Sequence, residues 1–167
     1  SSLYCITLAR DTIADPYFPD FVRAETARSA VSPEALCFEL LESDALELRV
    51  DAIELLRNLR ALGCRTMLGG FARDRVSTVI QKDMQFDFLK FHSSLVFNIL
   101  RSEAIESRVR AVVRLAHAVG INTVAELVES AGTLNKLRSL EVDYAQGDAI
   151  AAAVPLSHLN QASNPHA

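Results

Sequence analysis

The stretch LCFELLES, residues 36–43, decides how this sequence is read. Leu36 to Leu41 is an apolar run of strand length, and a single carboxylate, Glu39, interrupts it. Moving outward, the same kind of short apolar run recurs, each followed by a segment with helical spacing. Upstream, Leu3 to Leu8 is a first strand. Asp15-Pro16 is then expected to open a helix, because Pro suits a first turn, with Phe18, Phe21 and Val22 as its apolar stripe. Downstream, Ala52, Leu55, Leu56 and Leu59 recur at helical spacing, and Gly63 ends that helix.

The alternation continues to the end of the chain. Arg65 to Leu68 is a third strand running into Gly69-Gly70, followed by a weaker helix from about Arg75 to Gln81. Phe86 to Phe91 is a fourth strand. A helical region spans Ser94 to Val119, with Ile105, Val109, Val112, Val113 and Ala116 on one face and Gly120 as its stop. Asn122 to Ala125 is the fifth strand, Thr133 to Leu140 a helix with Leu134 and Leu137 inward, and Val142 to Gln146 the sixth strand. Successive β-then-α units predict an α/β fold with six predominantly parallel strands and surrounding helices. Periodicity alone fits a doubly wound sheet and a barrel equally. Residues 1–154 are expected to form the domain, and 155–167 a short terminal helix and frayed tail.

Composition narrows the function. The 167 residues suit one domain, half of them are apolar, and the net charge is −4. No global basic field exists to attract a nucleic acid polymer. Cys5, Cys37 and Cys64 lack C-x-x-C spacing and are expected to be buried thiols of a reducing compartment. No apolar run reaches the ~20 residues of a membrane span, so no membrane insertion is expected. The expected location is the cytoplasm, including as one domain of a longer membrane-anchored protein. No Gly-rich phosphate fingerprint is present.

Six ordered motifs resemble the EAL-domain cyclic di-GMP phosphodiesterase family. LCFELLES is similar to the family's E-x-T-E-S, and LGCRTMLGGF (62–71) to L-G-x-x-x-A-L-D-D-F. FDFLKFHSSLV (86–96) resembles V-D-x-L-K-I-D-x-S-F-V, and GINTVAELVES (120–130) resembles G-x-x-V-V-A-E-G-V-E-T. AQGDAI (145–150) resembles the closing Q-G-Y/F, and ITLARDTIADP (6–16) resembles V-N-L-S-x-x-x-L-x-D-P. The resemblance implies a TIM-type (β/α) barrel, ordinarily of eight strands. On this mapping Leu3 to Leu8 is the third barrel strand and Val142 to Gln146 the eighth. The two earlier strands and the E-A-L signature are outside the chain, leaving an incomplete barrel with two open edges.

In the family, magnesium or manganese at the C-terminal mouth of the barrel activates a water for attack on one phosphodiester bond. Hard divalent cations want about six oxygen ligands, which carboxylates at strand ends supply. The resemblance makes Glu39 and Glu126 vestigial metal ligands, Lys90 a holder of water or phosphate, and Gln146 part of the pocket frame. It gives Glu42 and Glu129 a supporting place around loops and pocket. The losses are larger. The family asparagine is Thr7, both aspartates of D-D-F-G are Gly69 and Gly70, and the aspartate of K-I-D is His92. The glycine of V-A-E-G is Leu127, Q-G-Y ends in Asp148, and the loop after the paired aspartates reads ARDRVS (72–77). Glycine offers no side-chain oxygen, so neither a two-metal site nor a metal cofactor is expected, and the chain is predicted not to be an enzyme.

Plainer roles stand beside these. Lys90 is expected as a salt-bridge partner of Glu39 or Glu126, since an unpaired buried charge is costly. Lys90, Glu126 and Gln146 are also the candidates for contacting a ligand. His92 reads as a surface or capping residue, and His117 as solvent-facing or packed. Arg73, Asp74 and Arg75 read as a solvated loop, and Arg101, Arg108, Arg110 and Arg114 as an ordinary helix surface. Two functions follow: a regulatory or protein-interaction module in bacterial signalling, with a protein partner or self-association, and a non-hydrolysing cyclic di-GMP receptor.

Overall fold

Strands form where the sequence alternates residues for two different surroundings, a helical coat on one side and a barrel lumen on the other. The computed structural model describes residues 3–71 and 84–155. Its elements run β1 (Tyr4–Thr7), α1 (Arg10–Ile13), α2 (Phe18–Ser29), β2 (Leu36–Leu41), α3 (Glu42–Glu47), α4 (Arg49–Ala61) and β3 (Arg65–Phe71). There follow β4 (Phe88–Phe91), α5 (Ser93–Asn98), α6 (Glu103–Ala118), β5 (Asn122–Ala125), α7 (Ala131–Ser139) and β6 (Tyr144–Ala145). The six strands lie in chain order, each parallel to the next, as an open, curled, incomplete barrel. That settles the choice periodicity left open, because a doubly wound sheet would break the order.

The strand period of two sorts the side chains. Phe38, Leu40, Leu68, Leu89, Phe91 and Ala125 join the main core with the helices. Cys37, Met67 and Val124 form a separate small cluster with Phe88, lining the lumen. Helix α4 buries Ala52, Leu55, Leu56 and Leu59, and α6 buries Val109, Val112, Val113 and Ala116, as their spacing predicts. Ser102 and Ser130 cap α6 and α7 by accepting the N–H of Ile105 and Thr133.

Several expectations are corrected. The helix expected from Asp15-Pro16 begins at Phe18, after the short α1. Its buried stripe is Pro19, Val22 and Thr26, while Phe21 is exposed and stacks on Phe18. Thr26 tolerates burial because its hydroxyl donates to Val22 O at 2.8 Å. The helical region from Ser94 to Val119 is two helices, broken between Asn98 and Glu103. The third strand continues through Gly69-Gly70 to Phe71, and the fourth and sixth are shorter than expected. Cys37 and Cys64 are buried, but Cys5 is exposed, because β1 pairs on one side only, with β2. The expected helix 75–81, the loop residues Arg73, Asp74 and Arg75, and the terminal segment from 156 onward lie outside the described residues.

Candidate functional site

The C-terminal ends of the strands bring the motif residues into one ring, with Thr7 on β1, Glu39 on β2, Gly69 on β3 and Lys90 on β4. Glu126 follows β5 and Gln146 follows β6. The Lys90 ammonium sits 2.6 Å from Glu39 Oε2 and 3.3 Å from Glu126 Oε2. Thr7 Oγ1 donates to the same Glu39 oxygen at 3.0 Å. Glu39 is 3% exposed, so this pairing is what makes its burial tolerable. Burial by itself pulls Lys90 downward, but Glu39 and then Glu126 outweigh it and hold its pKa above the ordinary lysine value. The lysine is therefore a cation at neutral pH, held between two carboxylates.

Gly69 explains how Glu39 reaches that position. A Cβ at residue 69 would lie 2.8 Å from Glu39 Cδ and 3.0 Å from its Cγ. The Glu39 side chain fills the space in which a side chain at 69 would begin, so an aspartate there and this Glu39 rotamer exclude each other. Gly70, at φ +70°, has the left-handed conformation that favours glycine. Among the described residues, no group of three or more His, Cys, Asp or Glu side chains is arranged to hold a metal ion. The residues present do not fit a two-metal centre: the Glu39 carboxylate is folded onto a lysine, and Gly69 and Gly70 offer no side-chain oxygen.

The remaining candidates divide. Gln146 is exposed, and its backbone ties the mouth together, with its N–H donating to Ala125 O at 2.8 Å and its carbonyl accepting from Val128 N at 3.0 Å. The following Gly147 must be glycine, because a Cβ would stand 2.6 Å from Val128 O. Leu127, in the family's glycine position, is held at φ +54° with its side chain 58% exposed. His92 caps α5, accepting the Ser94 N–H at its Nδ1. Asp148 and Glu129 are exposed, and Glu42 opens α3. Arg110 pairs with Glu106 at 2.8 Å, and Arg101 lies over the Phe97 ring.

Sequence reasoning missed two carboxylate networks at the opposite, N-terminal ends of the strands. Asp87 Oδ2 accepts the Thr66 N–H and hydroxyl and an Arg60 guanidinium N–H, while Arg65 reaches Oδ1. Asp143 Oδ2 accepts the Thr123 N–H at 2.7 Å and its hydroxyl at 2.8 Å, with His117 Nε2 at 2.9 Å. The signal was available: each aspartate directly precedes the first residue of its strand, Asp87 before Phe88 and Asp143 before Tyr144, and the preceding strand carries a threonine, Thr66 or Thr123. A cavity of about 890 Å³ opens at this end, lined by Arg60, Arg65, Asp87, Phe88, Asn122 and Tyr144 among others, and none of the ring residues line it.

Comparison with known proteins places this geometry. A model of the EAL domain matches residues 3–153. An uncharacterized protein of Azorhizobium caulinodans is 35% identical over 150 residues, covering 90% of this chain and 20% of that protein. The cyclic di-GMP phosphodiesterase PdeB of Shewanella oneidensis is 26% identical over 152 residues, covering 91% of this chain and 18% of that protein. The chain thus spans about a fifth of the length of these relatives. Among solved structures, the FimX EAL domain of Xanthomonas citri in complex with cyclic di-GMP superposes with a TM-score of 0.86 at 26% identity, over 93% of this chain and 61% of that one.

Proposed function

Because this chain belongs to the EAL domain family, we propose that it is a non-hydrolysing regulatory module of bacterial cyclic di-GMP signalling that works through protein contacts. The observation that supports this reading is the closed cluster of Glu39, Lys90, Glu126 and Thr7 over Gly69. A hydrolytic site needs carboxylates free to coordinate cations. Here the lysine takes the place of the cation, and Glu39 and Lys90 serve to close the mouth of the barrel. In this reading Glu126 completes the ion pair and Gln146 holds the β5–β6 turn through its backbone. The module would act in the cytoplasm, through a partner protein or a second copy. No helix among the described residues is long and apolar enough to cross a membrane.

A second reading, a receptor that binds cyclic di-GMP without cleaving it, is favoured by the likeness to the Xanthomonas citri FimX domain bound to that nucleotide. Against it stands the charge of the cluster, two carboxylates to one ammonium, which repels a phosphodiester. Isothermal titration of cyclic di-GMP, with and without magnesium, separates the two. No heat at saturating ligand, together with capture of a partner or self-association in sedimentation, is expected. Metal-independent binding lost in Lys90→Ala would make the chain a receptor. Turnover of the nucleotide sensitive to Lys90→Ala or Glu126→Ala would overturn both.

A further inference from the structure

We propose that Cys5 and Cys37 form a peroxide-responsive thiol pair, which closes to an intrachain disulfide and pins the edge strand β1 to β2. The two residues are direct partners in the parallel register of β1 and β2. Neighbouring strands lie about 4.7–4.9 Å apart, inside the 4.4–6.8 Å Cα separation of disulfides. Their side chains share a face. Two residues further along the same strands, Thr7 and Glu39 are also partners, and their side chains meet at 3.0 Å on the lumen side.

The pair is asymmetric in the way attack and resolution require. Cys5 is exposed and Cys37 is buried. The neighbouring Cys37 thiol lowers the Cys5 pKa to about 7, against partial burial and Glu39 and with help from Lys90. Cys5 is thus the thiol that a peroxide in solution reaches first, and it reacts as its thiolate. The Cys5 thiolate attacks a peroxide oxygen, breaking the O–O bond to leave a sulfenic acid and hydroxide. The Cys37 sulfur then attacks the Cys5 sulfur, and the sulfenic oxygen departs as water with the Cys37 proton. In balance, two thiols and one hydroperoxide give one disulfide and two waters, or water and an alcohol from an alkyl hydroperoxide. Cys64 is 3% exposed, has no cysteine partner and serves as an internal control.

The test treats the reduced whole chain with hydrogen peroxide at neutral pH. Loss of two of the three thiols is expected, with a mass lower by two hydrogens, a cross-linked peptide joining residues 5 and 37, and full reversal by dithiothreitol. The melting temperature should rise by about 5–10 °C, since the cross-link closes a loop of some thirty residues. Cys37→Ser should stop at a Cys5 sulfenic acid that a dione reagent traps, and Cys5→Ser should keep both remaining thiols. Survival of all three thiols in the wild type, disulfide-linked dimers in place of the intrachain bond, or equally fast oxidation of Cys5→Ser would each overturn the assignment.

Discussion

Gly69 and Glu39 behave as one unit, because the space left by the missing side chain is filled by the neighbour's carboxylate. Gly69→Ala should therefore destabilise the fold by about 1–3 kcal/mol in urea unfolding, as the Glu39 side chain is forced from its place. Lys90→Met should cost about 3–5 kcal/mol, since it leaves the Glu39 carboxylate buried without its cation. The pH dependence has a definite sign. The folded-state pKa of Lys90 lies above its ordinary value, so its contribution is complete below the unfolded value and is lost as pH rises through the folded one. The difference in unfolding free energy between wild type and Lys90→Met should stay level from neutral pH to about pH 10 and shrink above it. Leu127 carries a different residue-level cost, a left-handed backbone imposed on a side chain that gains little burial. Leu127→Gly should stabilise the chain by up to about 1 kcal/mol, the relief of strain being partly offset by glycine's greater freedom when unfolded.

Strands and helices show where periodicity was a sufficient guide and where it was not. Helices α4 and α6 bury the stripes their spacing predicts, because each packs a broad apolar face on the sheet. In α2 the stripe is turned: Phe18 packs on the core against Phe38 and Val22 is buried, Pro19 and Thr26 join them at little cost, and Phe21 stays exposed, stacked on the Phe18 ring. The strand starts are secured by Asp87 and Asp143, each accepting both donors of a threonine on the neighbouring strand. Burial would raise the Asp143 pKa, but the bonds from Thr123 and His117 overcome it, and the net shift is downward. Its contribution is present above the unfolded value of 3.8 and disappears as pH falls through the lower folded value. Asp143→Asn should cost about 1.5–3 kcal/mol at neutral pH and almost nothing once the wild-type aspartate is protonated, which unfolding curves across acidic pH will read.

At the scale of the whole molecule, the sheet formed by the described residues runs from β1 to β6 without returning on itself, so among them two strands have one neighbour and four have two. Tyr4 and Ile6 on β1 and Tyr144 on β6 are substantially exposed in consequence. Unpaired edges of this kind invite pairing with another chain. Amide exchange should be slowest in β2, β3, β4 and β5 and fastest in β1 and β6, because strands paired on one side open without disturbing the core. If the edges associate with a second copy, exchange in β1 and β6 should slow as concentration rises in the range where sedimentation shows dimers.

The six-strand rhythm and the family motifs were legible from residue order, because strand and helix periodicity and motif spacing are local properties of a chain. So was the lack of any side-chain oxygen at residues 69 and 70, since a glycine has none in any fold. Three features needed the tertiary structure. Periodicity could not choose between a sheet and a curled barrel, because that choice lies in the spatial order of strands. The expected partnership of Lys90 with Glu39 or Glu126 became both at once, because fifty and thirty-odd residues of separation close only when β2, β4 and β5 meet at one mouth. Cys5 and Cys37, far apart in the chain, face each other because the parallel register of β1 and β2 puts them there.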